Sequence, residues 1–193
     1  MNRFFRMAIL AGLGAMAAVS AAQAYEIDPL TRLPLMADTD ASKAQATAIP
    51  REVVSYDGKQ RPGTIVINTS ERRLYFVLPD GKAMRYGVGV GRPGFDWAGA
   101  QTITRKAEWP SWTPPSQMIK RRPDLPRFMP GGPENPLGAR AMYLGSTLYR
   151  IHGSNEPETI GQAVSSGCIR MLNEDVMDLY ERAKVGTRVV VAR

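Results

Sequence analysis

From Val53 onward the sequence breaks into short β-branched and aromatic runs separated by turn signals, and this punctuation restricts the fold more than any other feature. Residues 64–68 are rich in β-branched side chains, the polar stretch Thr69-Ser70-Glu71-Arg72 follows, and residues 74–78 make a second run. Pro79-Asp80-Gly81 is a strong turn signal leading into a third run over residues 84–90, so the pattern predicts a β-meander. Further strands are expected over residues 101–108, 141–144, 148–151 and 187–192. A helix is expected near the end: Asn173 caps it, Glu174 and Asp175 put negative charge in its first turn, and Val176, Leu179, Tyr180 and Ala183 form one apolar stripe. Gly186 is read as its stop. The class this describes is mainly β.

The first 24 residues read as an address. Arg3 and Arg6 give a basic start, residues 7–19 are an unbroken small and apolar run, and Ala22-Gln23-Ala24 supplies a cleavage pattern, so residues 1–24 are expected to be a secretory signal peptide. The 13-residue run is shorter than the roughly 20 residues a spanning helix needs, so no integral membrane span is expected after cleavage. Removal of this segment leaves 169 residues, within the roughly 100 to 200 of one domain, and takes the formal net charge from +7 to +5. Residues 25–50, rich in Ala, Thr, Asp and Pro, read as a linker or loosely ordered arm before a domain at 51–193. A basic exported chain suits anionic polymers or membrane surfaces. Without a recognisable binding motif, nucleic acid is not an expected partner.

Residues 109–138 are crowded with Pro, Gly and aromatics, including Trp109, Trp112, Pro114, Pro115, Met129, Pro130 and Gly131-Gly132. Loops of this length are commonly lids or binding loops; the competing reading is a surface excursion anchored by its aromatics.

The chain has a single Cys and a single His, sixteen positions apart, in Ile151-His152-Gly153-Ser154 and Ser165-Ser166-Gly167-Cys168-Ile169-Arg170. Exported proteins generally pair their cysteines, so a lone thiol calls for a reason. One reason is packing, with the Cys as a small buried hydrophobe. The other is chemistry: an imidazole can take the thiol proton, and Gly167 lets backbone approach an acyl group, with amides of Gly167, Cys168 or Ile169 available to an oxyanion. No zinc set can be assembled from one Cys and one His, so neither metal nor cofactor is expected.

The segment IHGSNEPETIGQAVSSGCIRMLNEDVMDLYERAKVGTRVVV resembles the C-terminal half of L,D-transpeptidases with the YkuD-type catalytic domain. GTIVINTSERRLYFV resembles the family's opening strands, WPSWTPP its central aromatic loop, and MPGGPENPLGARAMYLG the run into the histidine. The likeness covers roughly residues 62–192, and its motif, His-Gly followed by Ser-x-Gly-Cys-x-Arg, is specific. It implies a YkuD-like curled β-sandwich with one or two short helices and a cleft holding Cys168. It also implies a reaction on peptidoglycan stem peptides: Cys168 attacks at the third residue of a tetrapeptide, D-Ala leaves, and an amine of another stem resolves the thioester into a 3-3 cross-link.

The same resemblance assigns roles. Cys168 is nucleophile, His152 general base and later acid, and the Gly153 carbonyl orients the imidazole. Gly167, Ser166, Ile169, Arg170 and Tyr149 are the expected oxyanion and substrate-binding residues, with Arg170 either holding substrate or bracing the Cys loop. Ser166 stands where some members carry a second His. Trp109 and Trp112 are candidates for the cleft wall, while Glu156 and Glu158 are read as solvated loop charges. The expected location is the periplasm or cell envelope. Alternative acceptors are water, giving an L,D-carboxypeptidase, or an outer-membrane or envelope protein amine, giving an anchoring enzyme. A non-catalytic wall-binding protein is the reading from another class.

Overall fold

The computed structural model describes residues 49–193. The sequence expectations for residues 1–24 and for nearly all of the arm at 25–50 lie outside the described residues.

Alternation of apolar and polar side chains builds the meander. In β2 (Ile65–Asn68), Ile65 and Ile67 are fully buried while their neighbours are not. β3 (Arg73–Leu78) answers with Leu74 and Phe76, antiparallel to β2 with Ile65 opposite Phe76. β4 (Lys82–Gly87) returns along β3 in a hairpin that pairs Leu78 with Lys82. Asp80 and Gly81 turn that hairpin at φ 58° and 64°, which an Asp-Gly pair adopts readily. β1 (Glu52–Ser55) adds an edge strand to β4, secured by an Arg85–Glu52 ion pair.

The last strand in the chain sits mid-sheet. β11 (Arg188–Ala192) runs parallel to β2 and antiparallel to β6 (Gly99–Glu108), burying Val189 and Val191. Beyond β6 come β7 (Arg140–Leu144), β8 (Arg150–His152) and β10 (Ile169–Arg170), giving the order β1-β4-β3-β2-β11-β6-β7-β8-β10. β5 (Val90–Gly91) and β9 (Ala163–Ser165) form a separate parallel pair. The nine-stranded sheet curls, the class is mainly β, and the described residues hold two short helices, α1 (Ser116–Arg121) and α2 (Asn173–Arg182).

One core joins both halves of the sheet: Ile65, Leu74, Tyr86, Met142, Ile151 and Leu179 are each fully buried within it. Burying such a side chain contributes about 1.5–3 kcal/mol. Helix α2 closes the core against β7, presenting Val176 and Leu179, with Ala183 just beyond its end.

Several boundaries differ from the sequence reading. The third meander strand ends at Gly87 rather than at residue 90, because Gly89 exchanges backbone hydrogen bonds with Arg170 and Val90 pairs with β9. Leu148 is exposed in a turn, so the strand expected over 148–151 is shifted to Arg150–His152. Asn173 is the first helical residue and its side chain does not cap α2, whose N-cap is Leu172. Gly186, at φ 93°, does not stop the helix: Ala183 is already extended, and Gly186 sits in the turn into β11.

Candidate active site

The short strand β8 carries the histidine into the molecule. Ile151 and His152 are buried, the Gly153 N–H donates to the Arg140 carbonyl of β7, and the Met171 N–H from just beyond β10 donates to the His152 carbonyl. β10 lies parallel to β8 with Ile169 opposite Ile151 and Arg170 opposite His152, so Cys168 enters directly beside the histidine strand.

The imidazole is oriented by its own loop. His152 Nδ1 lies 2.5 Å from the Gly153 carbonyl oxygen. A carbonyl only accepts, so Nδ1 carries the proton and Nε2 keeps its lone pair. Burial, reinforced by the Arg170 charge and opposed by the Gly153 hydrogen bond, lowers the histidine pKa to about 3. The ring is therefore neutral at physiological pH. Burial pushes the Cys168 thiol up, and the Arg150 charge together with the Arg150 backbone hydrogen bond works in the opposite direction. The resting thiol, half-buried, has its Sγ 3.8 Å from the Leu148 carbonyl. Low-pKa imidazole and high-pKa thiol together describe a neutral resting pair, not an ion pair.

The loop before Cys168 is held by Ser165, the Ser of the Ser-x-Gly-Cys-x-Arg motif, to which the sequence reading gave no role. The buried Ser165 hydroxyl donates to the Cys168 carbonyl at 2.6 Å and accepts the Gly167 N–H at 3.0 Å. The Gly167 amide is thus committed elsewhere, a correction to its place among the oxyanion donors. The Ile169 side chain is core, and the amides of Cys168 and Ile169 are the two that stay candidates. Gly167 has φ 103°, and a Cβ there would lie 2.5 Å from Tyr149 Cε1, so both backbone and space require glycine. Tyr149 stacks on Trp97 with centroids 4.8 Å apart, and Trp97 Nε1 donates to the Gly167 carbonyl. Trp97 thereby braces the Cys loop from the Arg92–Trp97 turn, a contribution that no local signal around the cysteine announces.

Arg170 and Glu156 correct another expectation. Glu156 is no free loop charge: it meets Arg170 Nη1 at 2.5 Å, with Thr159 Oγ1 3.3 Å from the same nitrogen. Arg170 therefore ties β10 to the segment 156–159 while also lining the cleft. Glu158 is exposed.

A cleft of about 390 Å³ opens on this centre, lined by His152, Cys168, Ser166, Tyr149, Arg150 and Arg170 on the sheet side. Segment 109–138 forms the facing wall through Trp112, Met118 and Arg121, and Phe95 completes the rim. Trp109 lies outside the lining, 44% exposed. The wall is itself built: Trp112 and Met129 exchange backbone hydrogen bonds, and the buried Asn135 amide donates to the Pro130 carbonyl and accepts from the Leu137 N–H. Among the described residues no three of His, Cys, Asp and Glu gather at metal-ligand spacing.

An L,D-transpeptidase structure from Mycobacterium smegmatis covers 67% of this chain and 58% of its own at 17% identity with a TM-score of 0.55, a likeness of fold. The model of the YkuD L,D-transpeptidase catalytic domain matches residues 62–191, and the chain belongs to that family. It is 40% identical over 152 residues to "Probable L,D-transpeptidase ErfK/SrfK" of Escherichia coli K12, covering 74% of this chain and 47% of that protein. The chain spans about half the length of the curated relatives it matches most strongly. A Brucella melitensis crystal structure described as a probable carnitine operon oxidoreductase is 45% identical, covers 78% of this chain and 99% of that one, and has a TM-score of 0.51. That description belongs to the Brucella protein.

Proposed function

We propose that this chain is an exported cysteine L,D-transpeptidase working in the periplasm or cell envelope on peptidoglycan stem peptides. In this reading His152 Nε2 takes the Cys168 proton as sulfur attacks the carbonyl of the third residue of a tetrapeptide stem. The developing oxyanion is met by the Cys168 or the Ile169 amide, and the imidazolium returns the proton to the leaving D-Ala amine. The thioester then passes to the side-chain amine of a second stem, giving a 3-3 cross-link.

The observation that carries the reading is the β8–β10 pairing, which sets the chain's only His on β8 and its only Cys immediately before β10, both lining one cleft. Support also comes from the Nδ1 contact to Gly153, which leaves the ring nitrogen a base needs. The family match supports acyl transfer over the redox chemistry named for the Brucella protein, and a single thiol lacks the partner that would resolve a mixed disulfide.

Purified protein given a disaccharide tetrapeptide is expected to release D-Ala and yield a 3-3 dimer. A free tripeptide would instead identify hydrolysis, and an adduct on an added protein amine would identify anchoring. Unchanged tetrapeptide that co-sediments with the protein would contradict the enzyme reading and favour a wall-binding one.

A further inference from the structure

The charges lining the cleft are all of one sign. Arg121, Arg150 and Arg170 face it, and among the described residues no Asp or Glu contributes to its lining. Arg170 is already neutralised by Glu156. Arg121 stands exposed at the rim, its guanidinium 5.3 Å from the Phe95 ring centroid.

Arg150 is different. It sits two residues before His152 on β8, and alternate residues of a strand point to one face. Its charge reaches both reacting groups, acting on the Cys168 thiol and on the His152 ring. Its recorded polar contact is a hydrogen bond from Nη2 to the Leu148 carbonyl at 3.1 Å; its guanidinium lies 5.4 Å from the Tyr143 ring centroid, and its Nε is buried with no partner. No ion pair neutralises it among the described residues. A half-buried guanidinium beside the reaction centre, with donors to spare and no counter-charge, is built to receive an anion, and its planar fork matches a carboxylate.

We propose that Arg150 is a specificity-determining residue that holds a carboxylate of the acyl donor. The inference rests on the acyl-transfer reading above and adds the donor's charge to it. The shared chemistry is a carboxylate next to the scissile bond. A stem peptide offers two: the side-chain carboxylate of the third residue and the terminal carboxylate of the departing D-Ala.

The test compares three synthetic tetrapeptide donors: one with both carboxylates free, one amidated on the third residue's side chain, and one amidated at the C-terminus. Acylation is followed by intact-protein mass and kcat/KM. Wild type is expected to use one amidated donor about tenfold less well or worse, the order expected for losing a hydrogen bond to a charged group. Which amide is penalised identifies the carboxylate. In Arg150→Gln the free-to-amidated ratio is expected to fall to within about twofold of one, and Arg150→Lys to retain part of it.

The ratio is read on one variant at a time, so changes in thiol reactivity or folding cancel. A wild-type ratio near one for both amides, or a penalty that persists in Arg150→Gln, overturns the assignment while leaving the acyl-transfer reading intact. No Cys168 adduct with any donor overturns both.

Discussion

His152 is neutral in the resting protein and Cys168 holds its proton, so in the proposed reaction activation belongs to the encounter with substrate and not to a standing thiolate. The sign follows from the two shifts. A raised thiol pKa delays thiolate to alkaline pH, and a histidine pKa near 3 removes any imidazolium from the neutral range. The rate of Cys168 alkylation by iodoacetamide is therefore expected to climb about tenfold per pH unit from pH 6 to 8, in proportion to thiolate. A fast plateau across that range would contradict the neutral pair. Gly167→Ala should place a methyl against the Tyr149 ring at a backbone angle alanine resists, costing about 1–3 kcal/mol or more and most acylation. Thermal melting and adduct formation read the two effects. At this scale the sequence singled out the two candidate side chains because each is the chain's only one of its kind. Phe95 and Trp97 were not legible, because their roles depend on contacts across distant loops. Ser165 stood in the motif without a role, because its two local hydrogen bonds follow from the folded path of the Cys loop and not from residue type.

Among the elements, α2 and β8 are tied by the residue that the sequence pattern mistook for a cap. Asn173 Oδ1 accepts the Ala139 N–H at 2.9 Å and its Nδ2 donates to the Ser154 carbonyl at 3.0 Å, joining the helix start to the residue that enters β7 and to the loop after His152. Asn173→Ala is expected to cost about 1–3 kcal/mol by stranding those two backbone groups. Because the loop it fixes also carries the Gly153 carbonyl, activity should fall beyond the loss of folded protein, as kcat measured well below the melting transition would show. Local chemistry favours Asn at a helix start, so its type and position misled together. The meander strands, β6, β7 and β11 were readable because each holds β-branched, aromatic or other apolar residues between turn signals. β5, β9 and β10, of two or three residues each, exist through partners distant in sequence and leave no periodicity to read.

Across the whole molecule, inserting β11 between β2 and β6 makes one core from the first and last parts of the domain, and that core holds β8 and β10 side by side. Composition and turn signals disclosed the mainly β class, and the motif disclosed the family; the strand order follows from long-range pairing that neither records. The central claim is that this scaffold forms a thioester on Cys168 with the aid of His152. Intact-protein mass spectrometry of the protein incubated with a disaccharide tetrapeptide, without acceptor and with a chelator present, tests it most directly. The account predicts one acyl adduct matching the donor less D-Ala, mapped to Cys168, absent in Cys168→Ala and lost almost as completely in His152→Ala, since groups acting as a unit fail together. An adduct that persists in Cys168→Ala, or D-Ala release that the chelator abolishes, would contradict it.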